Sequence, residues 1–197
     1  MKEILIKVSG LYMKYGIKSV SMDDVSRELG ISKKTLYQHF KNKNELVKKV
    51  IRFYLEHLAS EMKKIVSQKV NAIEELLLVS KFIIQYLKQF NPSVTYDLQK
   101  YYPDIWKSIH LSQREHVYER IKENMKKGIK KGLYRKDLNI EIIAHFYLYR
   151  IEMSHTLDLV VEHEYSFEDI FKTSFNYHIR GIANSKGIEF LERKIKT

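Results

Sequence analysis

The 197-residue chain is long enough for one large domain or two small ones, and 44% apolar with 30% charged residues marks it as globular rather than disordered. It contains no Cys, which excludes disulfides and thiolate metal or nucleophile sites, and its apolar runs, such as Leu76–Val79 and Phe146–Tyr149, are too short for a membrane-spanning helix. The net charge of +11 is unevenly spread, because residues 1–50 hold eleven Lys/Arg against five Asp/Glu and carry +6 of it. That concentration fits a polyanionic partner; on charge alone a solubilising surface is the preferred reading, and the motif within those residues reverses that preference.

In chain order, Ile4, Leu5, Val8, Leu11, Tyr12 and Tyr15 recur at helical spacing, and Gly16 closes this first helix. Ser21, with Asp24 three residues on, forms a capping box for a second helix. Val25, Leu29 and Ile31 supply its inward face, and Gly30 marks a tight turn. Ser32 then caps a third helix over Lys33–Phe40, in which Leu36 and Phe40 lie four apart and face inward. Its other side carries Lys33, Lys34, Thr35, Tyr37, Gln38 and His39, a set rich in hydrogen-bond donors. Two short helices about a glycine turn, the second outwardly polar, make a helix-turn-helix with a recognition helix. Asn42-Lys43-Asn44-Glu45 predicts another capping box, opening a long helix from Lys43 to about Gln68.

Further helices are predicted over Ala72–Phe90, Ser93–Tyr101, Pro103 to about Lys131, about Asn139–Val161, and Phe167–Ile182 capped by Ser166 with Asp169. The fold class is therefore all-α. The Asn139–Val161 segment is apolar around nearly its whole circumference, so it must be covered on more than one side. The following helix carries a Phe167, Ile170, Phe171, Ser174, Phe175, His178, Ile182 stripe, with Gly181 allowing close backbone approach. Monomer core and a two-fold interface built from these last two long helices both satisfy that pattern; the interface is the preferred reading.

The ordered run Leu11-Tyr12, Gly16, Ser21-Met22-Asp23-Asp24-Val25, Leu29-Gly30-Ile31-Ser32 and Thr35-Leu36-Tyr37-Gln38-His39-Phe40, with Lys43 and Leu46, resembles the DNA-binding domain of the tetracycline-repressor (TetR) family. Lys34 stands where that family favours a small residue. The resemblance implies a three-helix DNA-binding domain over residues 1–46 and a helical effector-binding and dimerisation domain over 47–197. It also implies a homodimeric transcriptional regulator acting on double-stranded operator DNA. The expected DNA-facing residues are Ser21, Ser32, Lys33, Lys34, Thr35, Tyr37, Gln38, His39 and Lys43. Lys33, Lys34, Thr35 and Gln38 are the candidates for base edges, since Lys suits guanine acceptors and Gln suits adenine. Tyr37, His39 and Lys43, with the positive end of the helix opening at Lys43, are the candidates for phosphates. The rival reading is a helical-bundle module that binds a small molecule or a protein without specific DNA recognition.

Aromatic residues crowd the middle of the chain, from Phe82 to Trp106. They are either ordinary core or the lining of an apolar pocket with polar tips. On the pocket reading, Phe82, Tyr86, Tyr102, Trp106, Tyr147 and Arg150 would hold a small hydrophobic or amphipathic effector. Glu152 and His155 have the Glu-x-x-His spacing of di-iron bundles, yet no second copy occurs, so no metal and no cofactor are expected. There is no nucleophile elbow and no phosphate-binding glycine loop, so no enzyme activity is expected either. With no secretory leader pattern at the N-terminus, a cytoplasmic location is expected.

Overall fold

In the computed structural model, which describes residues 1–153 and 165–195, ten α-helices and no strand occur among the described residues. They are α1 (Lys2–Tyr15), α2 (Met22–Leu29), α3 (Lys33–His39), α4 (Lys43–Val66) and α5 (Ala72–Gln89). The remaining five are α6 (Pro92–Tyr101), α7 (Pro103–Lys130), α8 (Ile140–Met153), α9 (Phe167–Ile182) and α10 (Ser185–Ile195). The chain forms two compact units, one made of Met1–Lys63 with Tyr86–Ser112 and the other of Lys64–Gln85 with Gln113–Thr197.

The first unit is built around Val8 and Tyr12 of α1, Val25 of α2, Leu36 of α3, Phe40, and Leu46, Val47 and Val50 of α4, all at most 1% exposed. Val94 and Leu98 of α6 and Ile105 of α7 complete this core. Each fully buried Leu, Ile or Phe contributes roughly 1.5–3 kcal/mol relative to exposure. Short helices such as α2 and α3 are not stable alone, so this burial is what holds them. Local chemistry then sets where each begins. Ser21 Oγ accepts from the Asp24 N–H at 3.1 Å while Asp24 Oδ2 accepts from the Ser21 N–H at 2.9 Å, the predicted capping box. Donation from the Ser21 hydroxyl, and next from the Ser21 N–H, holds the Asp24 carboxyl below its usual range. Gly30 ends α2 in the left-handed region (φ 65°), which lets the Ile31 N–H reach back to Ser26 O at 3.1 Å. Ser32 Oγ accepts from the Thr35 N–H at 3.0 Å and starts α3.

At α4 the predicted capping box is only half formed. Asn42 Oδ1 accepts from the Glu45 N–H at 2.9 Å, but the Glu45 carboxylate reaches one residue further, to the Lys41 N–H at 2.8 Å. Gly16 at the end of α1 has φ 80°, and a Cβ there would sit 2.7 Å from Ser93 Oγ of α6, so glycine is needed both for the turn and for the close approach.

The second unit packs Ala72 and Ile73 of α5, Met125 of α7, Tyr134, Ala144 of α8, Phe175, Ile179 and Ile182 of α9 and Leu191 of α10. A buried polar group threads this core. Asn124 Nδ2 donates to Ala72 O (2.9 Å) and to Glu75 Oε1 (3.1 Å), the Tyr134 hydroxyl donates to Asn124 Oδ1 (3.0 Å), and Lys127 Nζ meets Glu75 Oε2 (2.5 Å). Every member is paired, which is the condition under which polar groups can be buried.

The α9 stripe is buried at Phe175, Ile179 and Ile182 as predicted, and Ser166 caps the helix. The close approach assigned to Gly181 falls elsewhere: an added Cβ there meets nothing within 4 Å, whereas at Gly187 of α10 it would lie 2.2 Å from Leu133 O. Helix α10 is absent from the elements predicted by sequence spacing. The structure describes the predicted Asn139–Val161 helix as far as Met153; Leu157, Leu159, Val160, Val161 and His155 lie outside the described residues.

Candidate nucleic-acid interface

The α2–turn–α3 segment presents one polar face. Leu36 (0% exposed) and Phe40 (1%) anchor α3 to the first core, so its opposite side must face outward. On that side Lys34, Tyr37, Gln38 and His39 are exposed.

The other predicted DNA-facing residues are engaged within the protein. Lys33 Nζ pairs with Asp23 Oδ2 of α2 at 2.5 Å, an exposed ion pair worth at most about 1 kcal/mol. A base or phosphate can therefore compete for Lys33 at small cost. Thr35 is half-buried and its hydroxyl shares a 2.8 Å hydrogen bond with Ser32 Oγ. The Ser21 hydroxyl donates to Asp24 Oδ2 at 2.6 Å. Ser21, Ser32 and Thr35 thus hold helix starts in place beside this polar face, while Lys34, Gln38, Tyr37 and His39 project from it.

Lys43, at the first position of α4, is half-buried, and its Nζ donates to Lys18 O in the α1–α2 turn at 3.2 Å. Burial, and next the nearby Lys18 charge, pull its ammonium below the ordinary lysine value. Two cations crowded here create a local positive potential that an anion would relieve. The turn itself is fixed from α6, where Asp97 (6% exposed) accepts from the Lys18 N–H at 2.7 Å. Neither Lys18 nor Asp97 stands out in the sequence, because their pairing joins residues 79 positions apart.

The six pocket candidates divide between the two units. Tyr86, Tyr102 and Trp106 belong to the first. There Tyr86 lies between Tyr54 (centroids 5.7 Å) and Phe90 (5.8 Å), Trp106 stacks on His110 (5.3 Å), and Tyr102 packs against the core. Phe82, Tyr147 and Arg150 belong to the second unit. Arg150 donates to Ser174 O of α9 at 2.5 Å and lies over the Tyr147 ring at 4.5 Å, and that ring meets His178 at 4.2 Å. Among the described residues no carboxylate pairs with Arg150, and burial lowers its pKa. Burial first, and the Arg150 charge second, pull His178 down to about 3. The second unit also has an open hollow lined by Arg135, Ala183, Asn184, Ser185, Ile188, Glu189 and Glu192, none of them among the six.

Among the described residues no His, Asp and Glu come together as a metal-binding group, and no helix is long and apolar enough to cross a membrane. The Glu152/His155 pair is outside the described side chains.

Residues 10–50 match the family model of "Bacterial regulatory proteins, tetR family". The helix-turn-helix-type transcriptional regulator YvaF of Bacillus subtilis is 23% identical over 187 residues, covering 92% of this chain and 95% of that protein. The transcriptional repressor KstR2 of Mycolicibacterium smegmatis is 28% identical over 74 residues, 38% of this chain and 36% of that protein. A crystal structure of a transcriptional regulator from Saccharomonospora viridis, solved with choline, superimposes with a TM-score of 0.74 at 18% identity, covering 92% of this chain and 96% of that one. At that identity the likeness is one of fold.

Proposed function

We propose that the chain, whose residues 10–50 match the tetR family of bacterial regulatory proteins and which is similar over most of its length to a helix-turn-helix-type regulator, is a homodimeric, ligand-responsive repressor of that family acting on a pseudo-palindromic operator. The observation that carries the proposal is the α3 face, a short helix fixed by Leu36 and Phe40 with Lys34, Tyr37, Gln38 and His39 exposed. Gln38 is assigned to an adenine edge, Lys34 and, on release from Asp23, Lys33 to guanine acceptors. Tyr37, His39 and Lys43 are assigned to phosphates. Ser21, Ser32 and Thr35 set the helix starts that hold these groups at the groove.

The proposed functional division follows the motif: residues 1–46 read DNA, and residues 47–197 dimerise and take the effector. The second unit supports dimerisation through α8 and α9. On α8, Ile142, Phe146 and Tyr149 are 51%, 69% and 54% exposed at positions i, i+4 and i+7, and Tyr177 of α9 is 79% exposed. A contiguous apolar stripe of this kind is a surface suited to a protein partner, and a second copy covers it with two-fold symmetry. Two α3 helices related by a dyad call for a pseudo-palindrome.

Repression is the sign carried by the relative KstR2. The effector is proposed to be a small amphipathic molecule held within the second unit, its polar end met by Arg150 beside Tyr147. A cytoplasmic location is part of the same proposal, since that is where a DNA-binding regulator of this kind acts.

Footprinting on genomic fragments tests the reading. A protected pseudo-palindrome is expected, with affinity falling about 10³–10⁵-fold between 50 and 200 mM salt if the dimer meets six to ten phosphates. Salt-insensitive binding without a protected palindrome overturns it. A reporter that rises on deletion of the protein supports repression; one that falls makes the protein an activator.

A further inference from the structure

Helix α6 carries a cationic–aromatic ridge that adjoins the DNA-reading region without belonging to it. The ridge can be traced residue by residue. Lys43 Nζ donates to Lys18 O at 3.2 Å. The Lys18 ammonium lies over the Tyr101 ring at 4.4 Å. Lys100 reaches the same ring at 5.5 Å and donates to the Tyr96 hydroxyl at 2.7 Å, lying over that ring at 5.1 Å. All four ridge residues are exposed, Tyr96 by 54% and Tyr101 by 40%.

Two facts describe how these lysines are held. Among the described residues neither Lys18 nor Lys100 comes within ion-pair distance of a carboxylate, whereas Lys7, Lys33, Lys49, Lys122, Lys127, Lys172 and Lys194 each do. The nearest acid on α6, Asp97, is buried and spends its Oδ2 on the Lys18 N–H. The ridge is also held at a defined place. The same Asp97 bond and the close approach of Ser93 to Gly16 fix α6 against the α1–α2 turn, the turn that Lys43 touches.

We propose that Lys18, Lys100, Tyr96 and Tyr101 form an auxiliary phosphate-binding ridge that meets the DNA backbone flanking each half-site. This rests on the DNA-reading assignment of α3 and Lys43 and extends it outward. Ammonium groups free of carboxylates and interleaved with tyrosine hydroxyls are the donors that phosphate oxygens take. Such backbone binding adds affinity without adding base preference. The tyrosine rings keep the lysine stems in place, so the charges are positioned before DNA arrives. An acidic protein partner would need the same charges, but continuity with Lys43 gives the duplex the adjoining position.

Fluorescence anisotropy on two duplexes tests this: one ending at the outer edges of the half-sites, the other extended on both sides by about one helical turn, ~10 bp. For Lys100→Ala, affinity for the extended duplex is expected to fall several-fold. The salt slope on that duplex should drop by about 1 for each phosphate no longer neutralised. Affinity for the short duplex and the ranking of mutated half-sites should stay as in the unmodified protein, and Lys100→Arg should restore full affinity for the extended duplex. Unchanged affinity and slope on the extended duplex overturn the ridge. Equal weakening on both duplexes also overturns it, because Lys100 would then act only through the α1–α2 turn. Thermal melting of Lys100→Ala, whose side chain is exposed, separates misfolding from the missing phosphate interaction. Should the unmodified protein protect no palindrome, it is the parent reading that fails.

Discussion

The backbone N–H of Lys18 donates to Asp97 Oδ2 at 2.7 Å, joining the turn before the helix-turn-helix to α6, 79 residues further along the chain. Asp97 is 6% exposed, so the acceptor side of the bond is shielded from water. Asp97→Ala is expected to lower stability by about 1–3 kcal/mol, the loss of a part-buried hydrogen bond to a carboxylate. It should also weaken DNA binding by loosening Lys18 and Lys43 together. Asp97→Asn keeps an acceptor oxygen and should be milder on both counts. Urea midpoints and operator affinity measured in parallel check this, and full operator affinity in a destabilised Asp97→Ala protein would disconnect the bond from DNA binding.

Reading and positioning on α3 and α4 separate by mutation. Gln38→Ala should relax preference at one position of each half-site, at about 1–3 kcal/mol per bidentate pair removed. Lys43→Ala should weaken binding to every sequence alike and reduce the salt slope. Titrations against matched and singly mismatched operators give the answer; identical behaviour of the two variants would refute the assigned roles.

The dimer rests on side chains that cost little to change in an isolated subunit. Phe146 is 69% exposed, so Phe146→Glu should leave helicity and monomer folding intact. Buried against a partner, the same carboxylate is strongly disfavoured. Sedimentation equilibrium is expected to show a shift to monomer, accompanied by a failure of tight operator binding. A variant that remains dimeric would move the interface off this stripe.

His178 makes stability depend on pH. Its value falls from 6.5 to about 3 in the folded protein, through burial and then the Arg150 charge. As pH drops below 6.5 the unfolded chain takes up a proton that the folded chain refuses until about 3, so stability is full above 6.5 and declines through that window. The slope is at most about 1.4 kcal/mol per pH unit. His178→Gln should decline less steeply than the unmodified protein when urea unfolding is followed from pH 7 to 4. Parallel curves for the two proteins would remove His178 as the cause.

In the second unit, Tyr134→Phe removes the hydroxyl that donates to Asn124 Oδ1 at 3.0 Å. Asn124 is 3% exposed, so its oxygen would be left buried and unpaired, at about 1–3 kcal/mol. A lower urea midpoint with an unchanged m-value is the expected signature.

What the sequence determined by itself is what depends on near neighbours in the chain. The Ser21–Asp24, Ser32–Thr35 and Ser166–Asp169 caps each close over three residues, and Leu36 and Phe40 lie one helical turn apart, so spacing alone located α2, α3, α9 and the outward face of α3. Local spacing was weaker at Asn42, where the Glu45 carboxylate had two N–H groups in reach and took that of Lys41. Only the tertiary structure decided the rest. The Lys18–Asp97 bond and the Asn124–Ala72 bond span 79 and 52 residues and leave no periodic trace. Helix α10 packs Ile188, Phe190 and Leu191 against the second core at a helical spacing already present in the sequence, but its register is fixed by Gly187 fitting against Leu133 O. The aromatic residues from Phe82 to Trp106 look like one cluster in the sequence. The fold divides them within α5, Phe82 falling in the second unit and the rings from Tyr86 to Trp106 in the first, because one long helix there serves two cores in succession.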